Sequence, residues 1–222
     1  MREIVLDTET TGLEPTEGHR IVELGCLELE NHVPTGRSFR AYLDPEREVP
    51  AAAFEVHGLS GEFLAKQPRF AEVCDDFLGF LADSPLVIHN AGFDLGFVNA
   101  ELARAGRPAL EAGRVTDTLE LARRRFPGAP AGLDALCRRF GIDLSGRQKH
   151  GALVDAGLLA KVYLELVGGR QAILELAASA VGPRATGEAA VPRPPRPHAP
   201  TPEELQHHEA LLDSIVKPIW RS

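Results

Sequence analysis

A chain of 222 residues, 44% hydrophobic and 25% charged, holds enough apolar material for one well-buried domain plus an appendage. No run approaches the ~20 apolar residues of a membrane span, and Met1-Arg2-Glu3 leads straight into an apolar strand without a leader pattern, so a cytoplasmic protein is expected. The net charge of −8 argues against broad electrostatic adhesion to nucleic acid, although bound cations would cancel part of it.

Ile4-Val5-Leu6 opens the chain as a buried strand that runs into Asp7-Thr8-Glu9-Thr10-Thr11-Gly12. Side chains alternate along a strand, so Asp7 and Glu9 share a face, roughly 6.5–7 Å apart. Two carboxylates that close repel unless a cation lies between them, which points to a divalent metal; a solvated strand end is the alternative for the pair taken alone. After a connection holding Pro15 and Gly18, Ile21 to Leu29 reads as a second strand and Arg37 to Leu43 as a third, stopped by Asp44-Pro45. Short connections favour an antiparallel meander.

Ala51 to His57 and Ser60 to Lys66 read as short helical pieces, and Phe70, Val73, Phe77 and Leu81 make a helical stripe. Leu86-Val87-Ile88 is a short apolar strand ending in His89-Asn90-Ala91-Gly92-Phe93-Asp94. Asp94 stands at three- and four-residue spacings from Phe97, Val98 and Leu102, on the apolar side of a helix's first turn, where an unpartnered charge is costly. Val115-Thr116-Asp117 gives another strand before a helix from about Leu119 to Phe126, with Asp117 read as that helix's N-terminal residue. Leu133, Leu136, Cys137 and Phe140 mark a further helix closed by Gly141.

The loop from Asp143 to Lys149 delivers His150, and Asp155 follows on the stripe of Leu158, Leu159, Val162 and Leu166, a helix that Gly168-Gly169 ends. His150 precedes Asp155 by five positions and is expected on the loop before the helix. Cys26, Cys74 and Cys137 are widely spaced in apolar patterns and read as reduced core residues, with no pairing that suggests zinc.

Asp7-x-Glu9-Thr10-Thr11-Gly12, His89-Asn90-x-x-Phe93-Asp94 and His150-x4-Asp155, in that order, resemble the three motifs of the DEDDh 3′–5′ exonucleases. The resemblance covers Met1 to about Gly169 and implies an α/β fold of ribonuclease H-like type, a five-stranded mixed sheet flanked by helices. It implies two divalent ions, Mg²⁺ or Mn²⁺, held by Asp7, Glu9, Asp94 and Asp155, with His150 as general base. Hard cations of this kind take oxygen ligands, which matches a set of acids without cysteine. By the same resemblance Leu13 packs on a terminal base, and Thr10, His57, Asn90 and Phe93 contact the last nucleotides of a single-stranded or frayed DNA 3′ end.

Beyond Gly169 the composition changes. Gln171-Ala172-Ile173-Leu174-Glu175-Leu176 resembles a short sliding-clamp-binding motif, with Gln171, Leu174 and Leu176 as its anchors. Residues 177–200 are rich in Ala, Pro, Gly and Arg and are expected to form a flexible C-terminal linker. Thr201-Pro202-Glu203-Glu204 then supplies a capping box with Pro at the first helical position. The helix it opens, with Leu205, Leu212, Ile215, Val216 and Trp220, is too short to stand alone in water and needs a partner surface. Nuclease domain, clamp-like hexamer, linker and helix together are similar to proofreading exonucleases of bacterial replicative polymerases, which implies that 201–222 binds the polymerase catalytic subunit. A free-standing nuclease acting on RNA or single-stranded DNA, and a scaffold bridging polymerase and clamp, are the competing readings.

Overall fold

The computed structural model describes residues 1–145, 149–168 and 199–215. The chain divides into two compact units, 1–174 and 175–222. No described helix is long and apolar enough to cross a membrane.

The first unit is built on a five-stranded sheet. Strand β1 (Arg2–Thr10) pairs antiparallel with β2 (Ile21–Glu30), and β2 pairs antiparallel with β3 (Val33–Tyr42). On its other side β1 pairs parallel with β4 (Leu86–Ile88), which pairs parallel with β5 (Val115–Asp117). The order is therefore β3-β2-β1-β4-β5, a mixed sheet with β1 at its centre. The β1–β2 register slips between Glu9 and Thr10, a bulge that bends the strand where its polar end begins.

Helices cover both faces. On one, Ile4 and Leu6 pack into a core with Phe70, Cys74, Phe77 and Leu81 of α3 (Phe70–Leu81) and Phe97, Val98 and Leu102 of α4 (Ala91–Arg104). On the other, Val5 packs against Ala156, Leu159, Ala160 and Tyr163 of α7 (Ala152–Leu166). Because successive β1 residues face opposite cores, the strand reads as one apolar run and not as an alternation. Ala51–His57 forms α1 and Gly61–Leu64 forms α2; Thr118–Arg125 forms α5 and Leu133–Arg139 forms α6. All three cysteines are buried, as their apolar surroundings implied.

Two elements differ from the sequence reading by more than a residue at an end. Strand β3 begins at Val33 and not at Arg37, because Asn31 and His32 take φ of 50° and 66° and close a two-residue turn that lets Glu30 pair with Val33 directly. Helix α2 is shorter than the stretch from Ser60 to Lys66: Ser60 is its N-cap, its hydroxyl accepting the Phe63 N–H at 3.2 Å, and the helix ends at Leu64.

In the second unit, helix α8 (Pro202–Ser214) starts as the capping box implied. The Thr201 hydroxyl accepts the Glu204 N–H at 3.2 Å, and the Glu204 carboxylate accepts the Thr201 N–H at 2.7 Å. Leu205 is exposed on this helix, while Ile215 follows its end in extended conformation. The residues assigned from sequence to clamp binding, Gln171, Leu174 and Leu176, lie outside the described residues, as do Val216, Trp220 and nearly all of the linker.

Candidate active site

The site lies at the C-terminal end of β1. Glu9, His150 and Asp155 each offer a ligand atom there, all within 4.8 Å of one another. His150 stands on the segment before α7, with Nδ1 3.2 Å from Asp155 Oδ2. Asp155 is buried in the first turn of α7, while His150 is half-exposed. Loop placement of the histidine, expected from the five-residue spacing, is what the chain adopts.

Helix α7 reaches this position because β2 carries a glycine opposite Asp7. Gly25 pairs with Asp7, and a Cβ built on Gly25 would stand 2.2 Å from the carbonyl carbon of Ala152 and 2.3 Å from Leu153 N. The first turn of α7 therefore rests on the bare backbone of β2. That closeness brings Asp155 to Glu9 of β1, and sequence reading missed it. An isolated glycine inside a strand pattern was the available signal.

Asp94 enters from the opposite face. It is buried in the first turn of α4, and its Oδ1 accepts the Thr8 hydroxyl at 2.8 Å. Burial pushes its carboxyl up to about 7, with the Thr8 hydrogen bond opposing and nearby Asp117 adding to the rise. Thr8 is a second residue that the sequence reading passed over, although a hydroxyl alternating onto a core-facing side of a strand asks for a partner. Asp7 is half-buried on the same strand face as Glu9. Glu23, the cross-strand neighbour of Glu9, is buried and neutralised by Arg40 at 2.8 Å.

A cavity of about 520 Å³ opens beside these carboxylates. Glu9, Thr10, Leu13, His57 and Phe93, all singled out in the sequence, line it together with Ala53 and Val56 of α1. Leu13 is 77% exposed at this cavity, an apolar side chain presented outward from a turn. The Thr10 hydroxyl donates to the Gly12 carbonyl at 2.6 Å and shapes that turn. Phe93 packs against Phe97 with ring centroids 5.0 Å apart. His57 Nδ1 accepts the Leu59 N–H at 3.0 Å, which leaves the proton of the neutral ring on Nε2. Burial and the neighbouring Lys149 ammonium lower the His57 pKa, and Nε2 is buried without a hydrogen-bond partner among the described residues. Asn90 differs from the other four: it sits at the start of α4 in left-handed conformation and does not line the cavity.

The donor set fits a hard divalent ion. It consists of the Glu9 and Asp155 carboxylates plus the His150 imidazole, with Asp7 and Asp94 outside the group that converges within 4.8 Å; Asp155 and Asp94, the two acids on helices, are buried where an uncompensated negative charge is costly. Such a group can hold a cation beside an apolar-walled cavity and move a proton at His150.

Comparison with known proteins gives the site its setting. A family model described as exonuclease matches residues 4–163. The chain is 50% identical over 224 residues to DNA polymerase III subunit epsilon of Rickettsia felis, with 98% of each chain covered. It is 43% identical over 238 residues to DNA polymerase III subunit epsilon of Escherichia coli, covering 100% of this chain and 98% of that one. Among solved structures, the nuclease domain of 3′hExo, a DEDDh family member bound to rAMP, superposes with a TM-score of 0.64 at 17% identity, covering 75% of this chain and 91% of that one. That last likeness concerns the fold, and it is the ribonuclease H-like fold expected from the motifs. The chain belongs to the DNA polymerase III subunit epsilon family of 3′–5′ DNA exonucleases.

Proposed function

We propose that this exonuclease removes mismatched nucleotides from a primer 3′ end by two-metal phosphodiester hydrolysis, with Asp7, Glu9, Asp94 and Asp155 holding the ions. The observation that carries the reading is the convergence of Glu9, His150 and Asp155 within 4.8 Å beside the cavity. Two such ions, when bound, supply a nucleophile from water at neutral pH and neutralise the charge that builds on the leaving 3′-oxygen. Everything else is the work of the chain. Asp7 and Glu9 are fixed by β1, Asp155 by the seating of α7 on Gly25, and Asp94 by the Thr8 hydroxyl. His150, half-exposed and touching Asp155, takes the proton of the attacking water as general base. Asp155 orients that imidazole through Nδ1 and leaves Nε2 for the proton.

The terminal nucleotide enters the cavity between Leu13, Phe93 and the inner side of α1. Apolar walls accept any base, which suits an enzyme that must excise whichever nucleotide is wrong. His57 offers its Nε2–H to a polar atom of that nucleotide, and the amides near Thr10 bind alongside it. Asn90 acts from the α4 junction, at the head of the helix whose first turn carries Phe93.

The same reading gives the tail two partners. Residues 171–176 bind the sliding clamp, and 201–222 bind the polymerase catalytic subunit through Leu205, Leu212, Ile215, Val216 and Trp220. The linker between them keeps the nuclease at high local concentration near the primer end, in the cytoplasm. Mismatched-primer excision with Mg²⁺ tests this, comparing 1–222, 1–200 and an Asp7→Ala/Glu9→Ala chain, each with and without the polymerase catalytic subunit. Polymerase should accelerate excision by 1–222 only, and the double variant should be inactive in every mixture. Equal excision by 1–222 and 1–200, indifferent to polymerase, makes the enzyme a free-standing nuclease.

A further inference from the structure

Helix α4 starts without a cap from the side chain that precedes it. Asn90, just before Ala91, is held at φ 64° and ψ 55°, and its side chain caps none of the first-turn amides among the described residues. A helix start leaves several N–H groups unsatisfied. Here two amides at the helix start are taken up from another element: Asp117, at the end of β5, accepts the Asn90 N–H on Oδ1 at 3.1 Å and the Ala91 N–H on Oδ2 at 3.0 Å. The same Oδ1 accepts the Leu119 N–H at 2.8 Å, the N-cap role read from the sequence. One carboxylate thus serves the positive ends of two helices.

The topology makes this possible. Ile88 and Asp117 are register partners in the parallel β4–β5 pair, so both strands end side by side and each feeds its helix at the same level. Thr118 adds a second tie, donating to the Ile88 carbonyl at 3.3 Å and lying 2.9 Å from His89 Nδ1. What leaves this junction is the first turn of α4, with Asp94 three residues after Ala91. Within that turn the Phe93 N–H donates to the Asn90 carbonyl at 3.0 Å; Asp117 and Thr118 hold the turn from outside.

We propose that Asp117 is a positioning residue for Asp94, setting where that carboxylate stands and thereby the affinity of the site for its divalent ion. With three amides on its two oxygens, Asp117 is committed to backbone and is not itself a ligand. The proposal rests on the metal-ligand role of Asp94 given above.

The test is Mn²⁺ binding to the full chain without DNA, read by calorimetry beside a thermal melt, for wild type, Asp117→Ala, Asp117→Asn and Asp94→Ala. Loss of an outer-shell partner typically weakens a metal site by about 10–100-fold, and Asp117→Ala should fall in that range. Asp117→Asn keeps Oδ1 for Asn90 and Leu119 but turns the donor NH2 of its amide toward the Ala91 N–H, so its loss should be intermediate. Should the alanine variant not fold, the asparagine variant decides alone. Wild-type Mn²⁺ affinity in folded Asp117 variants, with only a lower melting temperature, overturns the proposal while Asp94→Ala still loses binding. Wild-type affinity in Asp94→Ala overturns the ligand reading itself, and the positioning role falls with it.

Discussion

Replacing Gly25 by alanine adds one methyl group at the point where a helix meets a strand. That Cβ would stand 2.2 Å from Ala152 C, 2.3 Å from Leu153 N and 2.5 Å from Ala152 O, where ordinary contact begins at 3.4 Å. All three atoms are backbone, so no side chain can swing aside; the start of α7 must recede by 1.2 Å or β2 must bow away. Asp155 and His150 flank this contact and shift with it. A displacement near 1 Å costs on the order of 10²-fold in rate, and overpacking a well-packed contact costs about 1–3 kcal/mol of stability. The assay is kcat/KM for excision from a single-stranded oligonucleotide, paired with a urea melt. Gly157→Ala is the control, since a Cβ there meets nothing within 4 Å and lies in the same helix. It should keep full activity and gain about 0.4–1 kcal/mol. Gly25→Ala with activity within about threefold of wild type would refute the claim that bare backbone at this position places Asp155 and His150; the 10²-fold expectation comes from positional sensitivity in enzymes generally.

His150→Gln should lower kcat by about 10²–10⁴-fold with little change in folding, the range for losing a general base; a single-turnover rate within tenfold of wild type sinks that role. Burial raises the Asp94 carboxyl from 3.8 to about 7, so its proton is held more tightly in the folded chain than in the unfolded one. The stability tied to that proton is fully present below pH 3.8 and is lost as pH rises to about 7, which chelator-treated protein should show in denaturant titrations and Asp94→Asn should not. Arg20 holds the buried Glu101 carboxylate at 2.6 and 2.8 Å, and this contact also raises the Arg20 pKa. Arg20→Met should cost about 3 kcal/mol, the low end for breaking a buried pair, because Arg104 stays 3.2 Å from Glu101; a melt unchanged from wild type would show that the pair contributes nothing. Leu13→Ala should raise KM for single-stranded DNA more than it lowers kcat, and the reverse pattern would place Leu13 in the chemistry and not in binding.

Much of this arrangement was legible in the sequence, for identifiable reasons. Both-face burial wrote β1 as an apolar run, three- and four-residue spacings placed Asp94 and Asp155 on their helices, and Thr201 with Glu204 marked the start of α8 to the residue. What stayed hidden were contacts of backbone with distant elements. Gly25 matters because of Ala152, and Asp117 because of Ala91, and no periodicity encodes a contact between residues so far apart in the chain. Asp117 is instructive: the local rule correctly made it a helix cap, and it caps a second helix besides. The missed start of β3 has another cause, since Asn31-His32 lacks the glycine that usually announces a two-residue hairpin.

The central place of β1 has a consequence for how the enzyme is made. Val5 is covered by Leu159 and its neighbours on α7, more than 150 residues later. At synthesis rates of about 5–20 residues per second, the strand bearing Asp7 and Glu9 waits on the order of ten seconds before its second face is closed. The last of the proposed ligands, Asp155, arrives on the same helix that closes it. A ribosome-bound fragment therefore carries half of a nuclease and none of its activity, and the growing chain becomes able to cut DNA only when its core is complete.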